Sequence, residues 1–499
     1  MTDQTWQYFA MALYMLAMLG IGWYAYRRTS DLDDYMLAGR GLKPGVAALS
    51  AGASDMSGWL LLGLPGAIYL SGLVEIWIAI GLTIGAWVNW KIVAPRLRSY
   101  TEVSNNSITV PSFLENRLKD RSRVLRVVSG VIILLFFTFY VSSGMVAGGV
   151  FFESSFNSSY VLGMILVAGV TIAYTLFGGF MGATYTDVAQ GLLMLVALIV
   201  VPVIGLFQVG GFGGMVDSIR AVDPAMLNFV AGGSVLAIIS AAAWGLGYFG
   251  QPHIIVRFMA MRSSRDAATG RRIGIGWMIL TVLGAVLTAL VGIAYFEQNP
   301  QLALGDPEAV FLELSQVFFH PFVAGVVLAA VLAAIMSTIS SQLVVCSSAL
   351  VEDLYNMVSR KTLTPKQGVL LGRLGVLIVA VVAIMLASSR NDSILTLVAF
   401  AWAGFGASFG PTILLSLFWR KLTTQGALAG MVVGAVVVFA WGNSPLADQL
   451  YEIVPAFAAN LVVAVVVSRL TWKPNAQIEA EFDEAVRGVS RRTEAASVS

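Results

Sequence analysis

The chain has 499 residues, of which 58% are hydrophobic and only 12% charged, with a formal net charge of +2 and a mean hydropathy of +0.81. Soluble domains carry about 25% charged residues, so the composition excludes a soluble globular protein and points to an integral membrane protein with many spans. One cysteine, Cys346, excludes an internal disulfide and a thiolate metal cluster, and the two histidines, His253 and His320, lie too far apart to suggest a histidine metal site.

A bilayer span takes about 20 apolar residues. Thirteen such runs are predicted, at roughly 6–26, 45–71, 73–95, 124–152, 160–180, 186–208, 232–250, 273–296, 318–349, 368–388, 394–419, 425–442 and 451–470. No basic residue precedes the first, so residues 1–7 do not read as a cleavable signal peptide. Arg40 ends the run Asp33-Asp34-Tyr-Met-Leu-Ala-Gly-Arg40 ahead of the second span; an anchor on the positive side of the membrane is one reading of it.

The second span contains Ser50-Ala-Gly-Ala-Ser-Asp-Met-Ser-Gly-Trp59. Its glycines and serines weaken a helix or compete for its hydrogen bonds, so helix quality is predicted to fall from Ser50 to Gly58. Asp55 sits midway. A carboxylate at that depth costs roughly 2.5–3.5 kcal/mol on insertion scales, and such residues are usually functional. With small and hydroxylated neighbours, oxygens can collect there around a small hard cation. Further on, Gly81/Gly85 and Gly144/Gly148 have the spacing of close helix packing. Asp187 opens the sixth span, where a carboxylate favoured by a helix N-terminus is one reading.

The seventh span ends in Trp244-Gly-Leu-Gly-Tyr-Phe-Gly-Gln-Pro252, and three glycines with a proline predict a break or kink. The stretch also matches G-x-G-x-x-G, but it follows a membrane segment rather than a strand, so it does not read as a nucleotide site. Trp244 and Tyr248, four apart, share a helical face. With Trp59 and Tyr140 they either wall a small ring-shaped zwitterion or serve as ordinary core and interface aromatics. The ninth span carries Ala333-Ala-Ile-Met-Ser-Thr-Ile-Ser-Ser341. The hydroxyls of Ser337 and Thr338 either bond back to their own helix or give two oxygens to a sodium ion, with the carbonyls coming from the break in span two. Glu75 and Glu308 are expected as external solvated charges. No P-loop, G-x-S-x-G elbow or hydrolytic acid pair is present, and neither an enzyme nor a nucleic-acid partner is expected.

Arg27-Arg28, Lys91 to Arg126, Arg257 to Arg272, Arg360 to Arg373, Arg420-Lys421 and Arg469 to Arg492 fall on one side of these spans, against Arg220 and Arg390 on the other. That asymmetry makes the basic side cytoplasmic, with the N-terminus outside and the C-terminus inside. The polar tail, 474–499, reads as a cytoplasmic helix or a disordered end. The two interrupted spans, two and seven, are five apart. An odd-numbered repeat must invert on its second copy, and paired interrupted spans in inverted halves mark a transporter binding site.

The three runs at 50–59, 244–253 and 334–338, with the Gly-Gly-Phe…Thr-Asp…Gln run at 178–190, resemble the sodium/solute symporter family over nearly the whole chain, and within it the proline carriers. The resemblance implies an all-α polytopic fold with a LeuT-type inverted-repeat core of five plus five helices, one helix before and two after. The corresponding divisions are 1–44, 45–208, 232–419, 420–473 and 474–499. It implies sodium held by the carbonyls of Ala53, Met56 and Ala334 and the hydroxyls of Ser337 and Thr338, with Asp55 essential for sodium and Arg40 and Asp187 affecting coupling. It places L-proline at Ser57, Trp59, Tyr140, Trp244, Tyr248 and Pro252. The function implied is sodium-driven import of L-proline across the bacterial inner membrane, with no obligate protein partner; another amino acid, a sugar or a carboxylate is the alternative cargo.

Overall fold

The computed structural model describes residues 3–27, 37–230, 233–355, 364–388 and 393–497. Arg28, Arg360 and Arg390 of the charge pattern, and positions 33–36 of the run before Arg40, lie outside the described residues. Those that are described are almost entirely helical, with one isolated bridge, Leu42 to Met261, in place of any sheet.

Nineteen α-helical segments follow one another among the described residues. They are α1 (Asp3–Tyr26), α2 (Pro44–Asp55), α3 (Leu64–Ser71), α4 (Ile76–Val88), α5 (Ala94–Val103), α6 (Val110–Leu118), α7 (Val124–Phe156), α8 (Tyr160–Gln208), α9 (Gly211–Val222) and α10 (Val235–Ala242). Then come α11 (Pro252–Met259), α12 (Asp266–Gln298), α13 (Val310–Phe318), α14 (Pro321–Ser348), α15 (Pro365–Ala387), α16 (Ile394–Phe418), α17 (Thr424–Gly442), α18 (Ile453–Thr471) and α19 (Ala476–Ser497). Among the described residues, ten helical stretches are long and apolar enough to cross a membrane, which makes this a multi-pass membrane protein. Two of the ten are composite. Trp59–Val103 turns at Gly72 (φ 78°), and Tyr160–Gln208 is interrupted at Gly179 (φ 55°, ψ −150°). Both positions need a residue without a Cβ.

Proline and hydroxyl residues set the helix starts. Pro44, Pro111, Pro252, Pro321 and Pro365 open their helices, where the missing N–H costs nothing. The side chains of Thr109, Ser393 and Thr423 accept the first backbone N–H groups of α6, α16 and α17. The molecule is organised around α14, in which every residue from Val327 to Val344 is buried, and which packs on α1, α7 and α8. A second contact uses no side chains at all. A Cβ at Gly81 would lie 2.2 Å from the Ala242 carbonyl oxygen, and one at Gly85 2.2 Å from that of Gly245. The backbone of α4 therefore touches that of the seventh span.

Two expectations change. Helix quality is not lost from Ser50 onward: α2 continues to Asp55, because the Ser54 hydroxyl bonds back to the Ala51 carbonyl (3.0 Å) and Ser50 bonds to another helix. Glu308 is not a solvated charge. It is buried, and its Oε1 accepts the Ile394 N–H (2.9 Å), since the positive, unsatisfied N-terminus of α16 offers a better partner than water. Of the two readings of the C-terminal tail, the structure takes the helical one, as α19, and docks it. Ser99 Oγ donates to the Ala485 carbonyl (2.9 Å), Lys119 pairs with Glu481 (2.6 Å), Arg420 pairs with Asp483, and buried Phe482 lies between the guanidinium groups of Arg117 and Arg420.

Gly85→Leu should lower the thermal midpoint of the purified protein well below that of Gly276→Leu, where a Cβ meets nothing within 4 Å. Equal midpoints would mean that α4 and the seventh span are not held in backbone contact.

Candidate functional site

The site forms where α2 stops. After Asp55 the chain is non-helical at Met56 and Ser57 and re-enters helix at Gly58, with a π-helical turn at Trp59–Gly63. The last carbonyls of a helix lack intrahelical partners, and here they are used locally. The Asp55 carbonyl accepts the Ser57 N–H (2.9 Å) and the Trp59 indole N–H (3.1 Å). The Ala53 carbonyl accepts a hydrogen bond from Ser337 Oγ of α14 at 2.7 Å. Ser337 Oγ is also 3.1 Å from the Ala334 carbonyl, and Thr338 Oγ1 is 3.3 Å from it. Four of the five oxygens expected around sodium thus share one buried corner, and Met56 lies buried at the break beside them. A hydroxyl can accept as well as donate, so both hydroxyls here are able to turn a lone pair toward a cation.

Asp55 is 2% exposed. Tyr248 Oη donates to its Oδ2, and its Oδ1 has no hydrogen-bond partner. No lysine or arginine pairs with it among the described residues. Tyr248 belongs to a tight 3-10 segment, Ala243–Gly250, followed by extended Gln251 and then α11, so the predicted break in the seventh span occurs between Gly250 and Pro252. Three glycines let this segment pass close to its neighbours: a Cβ at Gly247 would overlap the Trp402 ring. The segment's aromatics form one cluster. Trp244 lies 6.4 Å from Trp59, stacks on Tyr451 at 5.6 Å, and its carbonyl accepts the Trp402 indole N–H (2.7 Å). Tyr248 meets Trp402 edge-on at 5.2 Å. Tyr140, buried, lies against Ser57 and Asp55, and its ring meets His253 edge-on at 5.9 Å. Pro252, also buried, opens α11 and lines a different cleft, with Thr109, Pro111 and Phe180. Ser57, Trp59, Tyr140, Trp244 and Tyr248 are thus brought together around the cation corner, and Pro252 follows four residues after Tyr248.

Arg40 and Asp187, the two residues expected to affect coupling, are not brought together in the same way. Asp187 is fully buried within α8 and bonds to Arg257, a residue the charge pattern placed among the cytoplasmic cations. That placement is corrected: Arg257 has no exposed surface. Its Nη2 is 3.1 Å from Asp187 Oδ2 and 2.6 Å from Ser341 Oγ, its Nε is 3.1 Å from Ser50 Oγ, and its Nη1 reaches the His253 carbonyl. Ser50 Oγ in turn donates to Asp187 Oδ2 at 2.7 Å. Ser50 lies five residues before Asp55 and Ser341 three after Thr338. The ion pair therefore clamps α2 and α14 about 7 Å along α2 from the break. Its signal in the sequence was Asp187 itself, since an acid at membrane depth demands a partner of opposite sign. Arg40 sits elsewhere, on a left-handed turn (φ 55°), donating to the Ser107 carbonyl (2.5 Å), Thr101 Oγ1 (3.3 Å) and the Met259 carbonyl (3.5 Å).

Residues 35–434 match the family model described as the sodium:solute symporter family. The chain is 58% identical over 467 residues to a high-affinity proline transporter of Bacillus subtilis, covering 94% of this chain and 98% of that one. It is 50% identical over 501 residues to a sodium/proline symporter of Staphylococcus aureus, covering 98% and 97%. Among solved structures, a Na+-coupled sialic acid symporter in a substrate-bound outward-open state superposes with a TM-score of 0.81 over 95% of this chain and 99% of that one, at 19% identity. At that identity the likeness concerns the fold.

Arg257→Gln leaves the Asp187 carboxylate buried without a counter-charge, a loss of about 3–5 kcal/mol. The denaturation midpoint should fall sharply, and Arg257→Gln/Asp187→Asn should recover much of it. A single variant that melts like the parent protein would remove the clamp from consideration.

Proposed function

We propose that this chain, which belongs to the sodium:solute symporter family, imports L-proline by coupling its movement to sodium running down an electrochemical gradient. The observation that carries this most directly is the meeting of the Ala53 and Ala334 carbonyls with the Ser337 and Thr338 hydroxyls beside Asp55, a carboxylate with one oxygen unengaged. Hard oxygens of this kind suit sodium, and the negative charge lowers the cost of bringing the ion out of water. For the cargo, the relatives named for proline transport are alike over nearly the full length. The neighbouring aromatics Trp59, Tyr140, Trp244 and Tyr248, with Ser57 and Pro252, offer an apolar wall edged by hydroxyls to a small cyclic zwitterion.

In this scheme the composite stretches Trp59–Val103 and Tyr160–Gln208 each hold two crossings or parts of two, and Val235–Gly250 adds one, for thirteen in all. Residues 45–208 and 232–419 form the two inverted five-helix halves, flanked by 1–44 and by 420–473, with 474–499 on the cytoplasmic side and the N-terminus outside. Sodium and proline bind from outside near the bilayer centre; two bundles of helices then rock to open the site inward. Proline bound beside Trp59 and Tyr248 and sodium bound beside Asp55 share the residues around one break, so each favours the other's binding. That mutual preference is the coupling free energy. Arg40 and Asp187 act on it at a distance, by holding the segments that flank the break. A membrane potential of about 100 mV contributes roughly 2.3 kcal/mol per charge, and a tenfold sodium gradient about 1.4 kcal/mol more. Together these sustain a several-hundred-fold accumulation of a neutral solute.

The direct test is uptake of labelled proline into proteoliposomes with and without an imposed sodium gradient; gradient-independent uptake would defeat the scheme. In the same assay Asp55→Asn should abolish sodium-stimulated uptake while the protein still inserts, and near-normal sodium dependence would refute the cation site. Trp244→Ala should weaken proline affinity about tenfold or more and sodium affinity much less, because ring contact is lost while the cation's oxygens remain. An unchanged proline affinity would rule out the aromatic wall.

A further inference from the structure

A groove between α4 and α12 lies on the lipid-facing side of the molecule, away from the transport site. Its cavity of about 240 Å³ is lined by apolar side chains together with Thr83, among them Ile80 and Ile84 of α4 and Ile279, Leu283 and Val286 of α12. Ile84 and Leu283 are more than half exposed. Four residues on from Thr83 the same face of α4 presents Trp87, and Lys91 follows in the π-helical turn Asn89–Val93 that continues α4. The neighbouring turn of α12, toward its N-terminus, presents Arg271. Lys91 Nζ lies 4.5 Å from the Trp87 ring centroid, and the Arg271 guanidinium carbon lies 6.0 Å from the same ring. Trp87 is 41% exposed. No carboxylate pairs with Lys91 or Arg271 among the described residues.

Eight residues separate Lys91 from Thr83, and eight separate Arg271 from Ile279. At 1.5 Å per residue that is about 12 Å, close to the roughly 15 Å of hydrocarbon in one leaflet. Two cations flanking an indole therefore sit at headgroup depth when the groove sits beside the acyl chains. Basic pockets between spans on the cytoplasmic side are suited to anionic lipid headgroups, and tryptophan favours the interface. We propose that this groove binds one anionic phospholipid, its phosphate between Lys91 and Arg271 and one acyl chain along Ile84 and Ile279. The two unmatched positive charges select against a headgroup of zero net charge, by about fivefold for each basic side chain. Such a lipid ties α4 to α12.

Native mass spectrometry of the purified full-length protein, titrated with phosphatidylglycerol, phosphatidylcholine or chainless glycerol 3-phosphate, tests this without reference to proline. The parent protein should retain phosphatidylglycerol about 25-fold better than phosphatidylcholine. Lys91→Gln/Arg271→Gln should reduce that preference to about twofold or less. Lys421→Gln, which alters a lysine 5.0 Å from the Trp472 ring and outside the groove, should leave it intact. Ile84→Trp, which fills the groove and keeps both cations, should also lose the lipid. An unchanged preference in the double variant or in Ile84→Trp, or competition by glycerol 3-phosphate as effective as that by the lipid, would overturn the proposal. If the double variant does not fold, Lys91→Arg/Arg271→Lys must retain the preference; its loss there would count equally against the site.

Discussion

A carboxylate held away from water must be matched by positive charge, and two acids in the interior of this protein meet that demand in opposite ways. Asp187 is matched permanently. Arg257 lies against it, two serine hydroxyls fill in around the pair, and a guanidinium fixed in that position leaves no room for exchange. Asp55 has only a tyrosine hydroxyl, on one oxygen. Depth and an unbonded oxygen do not separate the two acids, since both are buried and each leaves its Oδ1 without a partner; the permanent counter-charge on Asp187 does. A buried pair such as Asp187–Arg257 contributes little net stability over an apolar replacement. What it contributes here is register, because its hydroxyl partners come from the two helices whose oxygens meet at the break.

Much of this was legible in the sequence. Asp55 among small and hydroxylated neighbours, the glycine-rich end of the seventh span and the paired hydroxyls Ser337 and Thr338 are local signals, each readable from residue type and depth. What escaped was long-range. Arg257 looked like one of several basic residues bordering the membrane, because charge counting cannot see that a helix beginning at Pro252 runs back into the core. Glu308 looked solvated for a similar reason: its partner, the N-terminus of α16, lies 86 residues further along the chain. The docking of α19 depends on Phe482 finding two guanidinium groups contributed by other segments. An apolar stripe at Ile478, Phe482, Ala485 and Val489 marks a docking face in the tail, but not the partners it meets.

The extent of the break was also narrower than composition suggests. Serines 50 and 54 are poor helix formers in isolation, but each hydroxyl here has an acceptor that a helix can supply or tolerate. Only Met56 and Ser57 leave the helix. Confining the interruption to two residues keeps Ala53 and Asp55 in fixed positions relative to α14, which is itself buried along its central turns. The site is consequently built from one rigid rod and the end of another.

The bare backbone seam between α4 and the seventh span has a mechanical consequence. Interlocked side chains can change rotamer and let two helices slip past one another, whereas peptide planes in direct contact offer no such freedom. Gly81 and Gly85 therefore seat α4 directly on the backbone of the segment bearing Trp244, with no layer of side chains between them. Beyond that seam the helical path is interrupted at the extended residue Gln251, before α11 begins, so the bare contact belongs to the stretch ahead of the break and not to the helix that follows it.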